Sequence, residues 1–258
     1  MNLLEESKLK TVRRGTDPQD GRWFSKEAVL KLQKAQEELE WMLNRGYNNK
    51  SVVNIIGNHY QFSLRQRNAL TRSTSSQEKC SIREKKQIQL SDCRNKCLYI
   101  DGFNLIITLE AALSKGVLVL CNDNTLRDLA GLRGTYSVID KTDFALELIG
   151  KKLDEANISK AEFFLDMNVS NSGRLKSFIL KHAEKWTMDT EVELMQRVDS
   201  FLYEQERVVT SDSIILDNCE SWVNLSMDIV EEYIRDVNIV DLSGRKTAFT
   251  SDPDNCEI

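Results

Sequence analysis

The stretch Cys97-Leu98-Tyr99-Ile100-Asp101-Gly102-Phe103-Asn104, running on into Leu105 to Leu113, decides how the rest of the chain is read. A short apolar run stops at Asp101, Gly102 permits a tight turn, and an apolar segment at helical spacing follows at once. That order spells a buried strand, a turn and a helix. In open α/β sheets ligands bind at the carboxyl ends of the strands, which would put Asp101 on the lip of the crevice. Asp is also a favoured helix cap, so this segment alone leaves both roles open.

The pattern recurs twice. Ala161 to Leu165 is an apolar run closed by Asp166, and Val208-Val209-Thr210 is closed by Ser211-Asp212. Parallel strands align their carboxyl ends, so Asp101, Asp166 and Asp212 are expected to converge on one edge. Acidic groups brought together repel unless they are protonated or bridged by a cation. A hard divalent ion with oxygen ligands, Mg²⁺ or Mn²⁺, is the natural bridge, with Asp101, Asp166 and Asp212 as its ligands. Such a site activates water and stabilises charge in displacement at phosphorus. Asp199, opening a short helix before the Asp212 strand, is a fourth catalytic candidate, and Asp123 and Asp128 are candidates for the rim. Any single Asp is explained equally well by a turn or a cap. Recurrence at three equivalent strand ends favours a shared site.

Outward from these strands the texture is strand-helix alternation. Residues 117–121 read as a strand, followed by a polar loop with Arg127, Asp128 and Arg133. A helix spans 144–153, an edge strand 191–195, and a short helix 199–205. Residues 218–234 read as mostly helical, and 237–240 as a last strand. This predicts a mostly parallel α/β sheet over 97–242 with helices on both faces, followed by a polar tail at 243–258. The loop NVSNSGR (168–174) presents Ser170, Asn171, Ser172 and Arg174 at the start of a helix over 175–186, where they could seat a phosphate. An ordinary capped helix start has the same composition.

Residues 1–24 read as a loose polar arm. Residues 25–96 read as a small helical, helix-turn-helix-like domain and linker, with a first helix ended by Gly46 and a second by Gly57. Capping-box spacing at Ser63-Leu64-Arg65-Gln66 opens a third helix. The formal charge of −5 is split: residues 1–97 hold 19 Lys+Arg against 11 Asp+Glu, and residues 98–258 hold 16 against 29. Arg65, Arg67, Arg72, Lys85 and Lys86 are therefore candidates for phosphate contacts with a nucleic acid, though a solvated helical face produces the same excess. Cys80, Cys93, Cys97 and His59 lack the paired spacing of a zinc site, and the six cysteines suit a reduced cytoplasmic setting. No apolar run is long enough to span a membrane, and there is no GxxxxGK[ST] or GxSxG motif.

Two resemblances add to this reading. The stretches IDGFNLIITLEAAL, LRDLAGLRGTYS, ALELIGKKL, LDMNVSNSGRLK and VVTSDSIILDNCESWVNLS, with LNRGY and IIGNHYQFSLRQRNAL upstream, resemble an uncharacterised prokaryotic domain-of-unknown-function family of the DUF434/DUF5616 type. More remotely, LYIDGFN, the strand ending at Asp166, Asp199 and the TSD of Thr210 to Asp212 are similar to the PIN/NYN-type nuclease superfamily. That second resemblance implies a Rossmann-like catalytic domain cutting RNA with Mg²⁺ or Mn²⁺. It also implies catalytic roles for Asp101, Asp166, Asp199 and Asp212, with Asn104 and Ser211 in support. The expectation is thus a metal-dependent nuclease, with Arg127, Arg133 or Arg174 meeting the developing charge. Its partner would be RNA ahead of DNA, a homodimer is admitted, and no membrane is involved. The rivals are a binding module without catalysis, and a small-molecule phosphohydrolase seated on the NVSNSGR loop.

Overall fold

The computed structural model describes residues 12–131 and 134–244. The helical part comprises α1 (Asp20–Trp23), α2 (Lys26–Leu43), α3 (Asn49–His59), α4 (Leu64–Ser73) and α5 (Gln77–Lys86). Ser25, Asn48, Ser63 and Ser76 cap α2 to α5 through side-chain oxygens, and Ser63 with Gln66 closes the full capping box. Gly57 does not end its helix. A Cβ there would lie 2.7 Å from the Arg67 guanidinium, so the glycine makes room for that side chain.

The next segment runs β1 (Cys97–Asp101), α6 (Gly102–Leu113), β2 (Val117–Leu120), β3 (Leu126–Asp128), α7 (Asp140–Glu155), β4 (Lys160–Asp166) and α8 (Ser172–Ala183). It continues through β5 (Asp189–Met195), α9 (Val198–Leu202), β6 (Val208–Val209), α10 (Ser213–Asn218), β7 (Trp222–Val223), α11 (Leu225–Tyr233) and β8 (Asn238–Asp241). The main sheet has the order β5-β4-β1-β6-β7 and is parallel throughout. From β1 the chain adds β4 and β5 on one side, then crosses back to add β6 on the other. That reversal leaves a crevice at the carboxyl ends beside β1.

Period-two alternation sorts the side chains. Leu98, Ile100, Phe163, Leu165 and Val209 join the core that includes residues of α6, α7, α8 and α11. Phe164, Val208 and Trp222 face a smaller core that includes residues of α9 and α10. Helix α6 is apolar on nearly all sides because ten of its twelve residues are buried. Its carboxylate Glu110 is paired with Arg14 at 2.5 Å and accepts the Tyr136 hydroxyl at 2.6 Å.

Three expectations are corrected. Residues 117–120 do not join the main sheet; β2 pairs antiparallel with β3 and parallel with β8 in a second sheet. The presumed polar loop at Arg127 and Asp128 is the buried strand β3, tolerated because both charges are paired. The presumed helix over 218–234 is broken by β7, where Trp222 is fully buried and its indole N–H donates to the Arg83 carbonyl at 2.8 Å. The helical part is not set apart from the sheets. Leu32, Leu39, Val53 and Leu70 share one core with Val117, Val119 and Val240 of the second sheet.

The same union has a polar pin. Asp123, fully buried, accepts from Arg83 of α5 at 2.6 Å and from Arg127 of β3 at 2.5 Å, and Arg83 also reaches Asp217 at 2.6 Å. Burial alone would raise the Asp123 carboxyl, but the Arg127 and Arg83 guanidiniums outweigh it and hold the group below the usual range. Asp123→Ala leaves the buried Arg127 without its carboxylate and Arg83 with Asp217 alone, and is expected to cost about 3–5 kcal/mol in urea unfolding. Because the native carboxyl is the stronger acid, wild-type stability is fully present above the ordinary Asp range and falls as acid is added below it. The Ala variant should lack that component of the acid response.

Candidate active site at the strand ends

Asp101 closes β1 and caps α6, accepting the Asn104 backbone N–H at 3.4 Å. Its second oxygen accepts the Thr210 hydroxyl at 2.9 Å, just past the end of β6. The same hydroxyl oxygen accepts the Asp212 N–H at 3.0 Å. One turn into α6, the Asn104 side-chain oxygen accepts both the N–H and the hydroxyl of Ser211, at 2.8 and 3.0 Å. Two strand ends far apart in sequence are thereby stitched together by three hydrogen bonds, and a fourth, local one orders the end of β6.

A cleft of about 350 Å³ opens there, lined by Asp101, Asp166 and Asp199 together with Phe103, Arg197 and Tyr203 among others. The Asp101 carboxyl is raised to about 7, chiefly by burial and further by the Asp212 and Asp199 charges, against the lowering pull of the Thr210 and Asn104 hydrogen bonds. Asp199 is raised by burial and then by Asp212 and Asp166. The expected acids are therefore electrostatic neighbours. Asp212 is not among the residues lining the cleft; its carboxylate caps α10, accepting the Ile214 N–H at 2.8 Å. Asp166 accepts the Asn168 backbone N–H at 2.8 Å and its side-chain amide at 3.0 Å.

The donor set is all oxygen, which suits a hard cation. Among the described residues, however, no three His, Cys, Asp or Glu side chains converge as a metal-holding group. The cleft thus fits an ion held directly by one or two carboxylates and completed by water and substrate oxygens, the usual mode for Mg²⁺. It does not fit a closed cage. Cys80, Cys93 and Cys97 are free thiols, with Cys80 pushed up to about 12 and Cys97 to about 11, each chiefly by burial.

Other expected site residues lie elsewhere. Arg127 is buried and spends its guanidinium on Asp123, the Arg72 carbonyl and the Ser211 carbonyl at 2.6 Å, so it steadies the strand end instead of facing a ligand. Arg133 falls outside the described residues. The NVSNSGR loop borders the cleft through Val169 alone. Ser170 pairs through its backbone with Gly134 and Tyr136, and Asn171 donates to the Tyr136 carbonyl at 2.7 Å. Ser172 is buried and Arg174 exposed.

Of the basic residues, Arg65 is held by Asp20 and the Gly15 and Leu129 carbonyls, and Arg67 by the Phe62 carbonyl and Asn58. Arg72 faces Asp128 at 3.7 Å, Lys86 donates to the Asp217 carbonyl, and Lys85 is exposed. Much of this cluster is spent inside the molecule. Sequence reasoning missed Arg197 and Tyr203, although Arg197 sits two residues past the end of β5, where the same strand-end rule would have found it. His59 lines a different, larger depression of about 560 Å³ with Trp41 and Ile55, remote in sequence from every strand end.

The fold and cleft define an α/β protein whose strand-end crevice is acidic, joined to an N-terminal helical unit through a shared core. The chain belongs to the family described as "Domain of unknown function (DUF5616)", whose model matches residues 90–228. Residues 31–86 match "Protein of unknown function (DUF434)". An uncharacterised protein of Methanocaldococcus jannaschii is 34% identical over 204 residues, covering 78% of this chain and 98% of that protein. No solved structure matches. No helix among the described residues is long and apolar enough to cross a membrane.

The raised Asp101 carboxyl gives a pH signature of the cleft. The native state holds this proton more tightly than the unfolded chain, so stability is lost as pH climbs from about 4, the ordinary Asp value, through about 7. Asp101→Asn, which can still accept from Thr210, is expected to raise the urea midpoint relative to wild type above pH 7. The advantage should vanish below pH 4.

Proposed function

We propose that this protein is a Mg²⁺- or Mn²⁺-dependent nuclease of PIN/NYN-like architecture that hydrolyses phosphodiesters in RNA. The observation that carries the reading is the gathering of Asp101, Asp166 and Asp199 in one cleft at parallel strand ends, with Asp101 raised to about 7. Asp101 and Asp199 are each raised in part by neighbouring acids, so these carboxyl groups resist ionising together, and a divalent cation would relieve that conflict.

Asp101 and Asp166 are the residues that would hold the ion, with Asp199 next to them. When bound, the ion supplies charge neutralisation at the phosphate and makes water a better nucleophile. The chain's own groups do the rest. Thr210 and Asn104 fix the carboxylate of Asp101 and the end of β6, so the acids are oriented before substrate arrives. Asp199, exposed at the cleft and raised by partial desolvation and then by its acidic neighbours, is placed to take a proton from the attacking water. Asp212 acts through its charge on Asp101 and Asp199.

A rival reading has one specific observation in its favour. Asp101, Asp166 and Asp212 all accept local hydrogen bonds, as purely structural caps do. A binding module without catalysis would use them so.

The test is cleavage of end-labelled RNA with Mn²⁺, comparing wild type with Asp101→Asn and Asp199→Asn. Losses on the order of 100-fold in both variants are expected, since each removes a charge that the reaction uses. Equal rates in all three proteins, or no cleavage by wild type under any divalent ion, would overturn the nuclease reading.

A further inference from the structure

A polyanion entering the Asp101 cleft meets three carboxylates, so something positive must receive it. The arginines expected to do this are committed elsewhere or lie outside the cleft. Arg197 is the cationic side chain among the residues lining the cleft. It follows β5 and precedes α9, with φ −138° and ψ 67°, and its side chain makes no capping bond to that helix. It is exposed, and among the described residues it takes part in no ion pair within 4 Å. Asp166 and Asp199 share the cleft without claiming it.

This disposition differs from that of other arginines in the fold. Arg83 and Arg127 are buried in ion pairs, and Arg207 donates to the Cys97 carbonyl and pairs with Glu206. An arginine left unpaired beside carboxylates has a planar fork of donors suited to two phosphate oxygens. Phe103, buried, and Tyr203, part-exposed, line the same cleft.

We propose that Arg197 is the phosphate-seating residue of this cleft, taking a phosphodiester of the substrate strand in a bidentate grip and so fixing where the strand lies against Asp101 and Asp199. The inference rests on the nuclease reading for its substrate class, but not on catalysis. Tyr203 supplies an aromatic face beside that phosphate, against which a nucleobase can stack. Arg197 is then a binding and specificity residue: it sets which phosphodiester is presented, while the acids act on it.

The experiment uses the full chain and a fluorescein-labelled 2′-O-methyl oligoribonucleotide that resists cleavage. Binding is followed by anisotropy in EDTA across a range of KCl, for wild type, Arg197→Ala, Arg197→Lys and, as a control outside the cleft, Arg174→Ala. Arg197→Ala is expected to weaken binding roughly 10-fold and to reduce the slope of log K against log salt by about 1. Arg197→Lys should keep the slope, because the charge remains, yet recover only part of the affinity, because the fork is lost. Arg174→Ala should match wild type.

Wild-type affinity and slope in Arg197→Ala would overturn the assignment, as would a wild type that does not bind the oligonucleotide. Mn²⁺-dependent cleavage separates this from the nuclease reading. Cleavage by wild type with an unchanged KM in Arg197→Ala sinks the Arg197 role and leaves the nuclease standing. Loss of binding in Arg197→Ala with no cleavage by wild type supports the role and sinks the nuclease.

Discussion

A single buried carboxylate holds this molecule's parts in register. Asp123 sits in the turn between β2 and β3, where it faces Arg83 from the helical part and Arg127 from the second sheet. Arg83 goes on to Asp217 in α10, and Arg127 to the Ser211 carbonyl at the end of β6. One buried anion thus ties N-terminal helices, second sheet and the main sheet's carboxyl edge into one unit. Such a pin is weak evidence for net stability, since desolvating three charges consumes most of what their attraction returns. Its consequence is geometric: remove any member and the others are left charged in a dry interior.

That constraint reaches the cleft by a short path. Arg127 holds the carbonyl of Ser211, whose N–H and hydroxyl both point to Asn104, while Thr210 next to it holds Asp101. The position of Asp101 is therefore fixed from the second sheet as well as from β1. An arginine that sequence reasoning places against substrate instead stabilises the floor on which the acids stand. Arg127 could not do both, because a guanidinium buried to 3% exposure has no face left for a ligand.

The main sheet was legible in the sequence because its signal is local. Apolar runs that stop at Asp101, Asp166 and the TSD after Val209 are bounded by polar turns, and parallel strands must align those ends. The second sheet was not legible for the opposite reason. Strand β3 is three residues long and two of them are charged, so its burial depends on partners 4 to 84 positions away. Strand β7 is two residues, Trp222 and Val223, between Ser221 and Asn224, too short for periodicity to separate strand from helix, and the packing of Trp222 decides. The basic surplus of the first 97 residues misled for a related reason. Charge counts cannot distinguish a guanidinium in solvent from one satisfying carbonyls and carboxylates inside the fold, and Arg65, Arg67 and Arg83 are of the second kind.

What the sequence could not weigh at all is how the acids share their field. Asp101 gains hydrogen bonds from Thr210 and Asn104 that favour its charged form, yet burial, Asp212 and Asp199 outweigh them. A purely structural cap gains nothing from that conflict; Ser or Asn would cap α6 without a charge to desolvate. Keeping Asp at this position, with Asp166 and Asp199 opening on the same cleft, concentrates negative potential where backbone dipoles and side-chain donors are already arranged. The arrangement costs the ionised form of Asp101, and either a proton or a positive charge beside it relieves that cost. Under the proposed function a divalent ion beside Asp101 would supply that charge from solvent, while the guanidinium of Arg197, which lines the same cleft, would supply it from the chain itself.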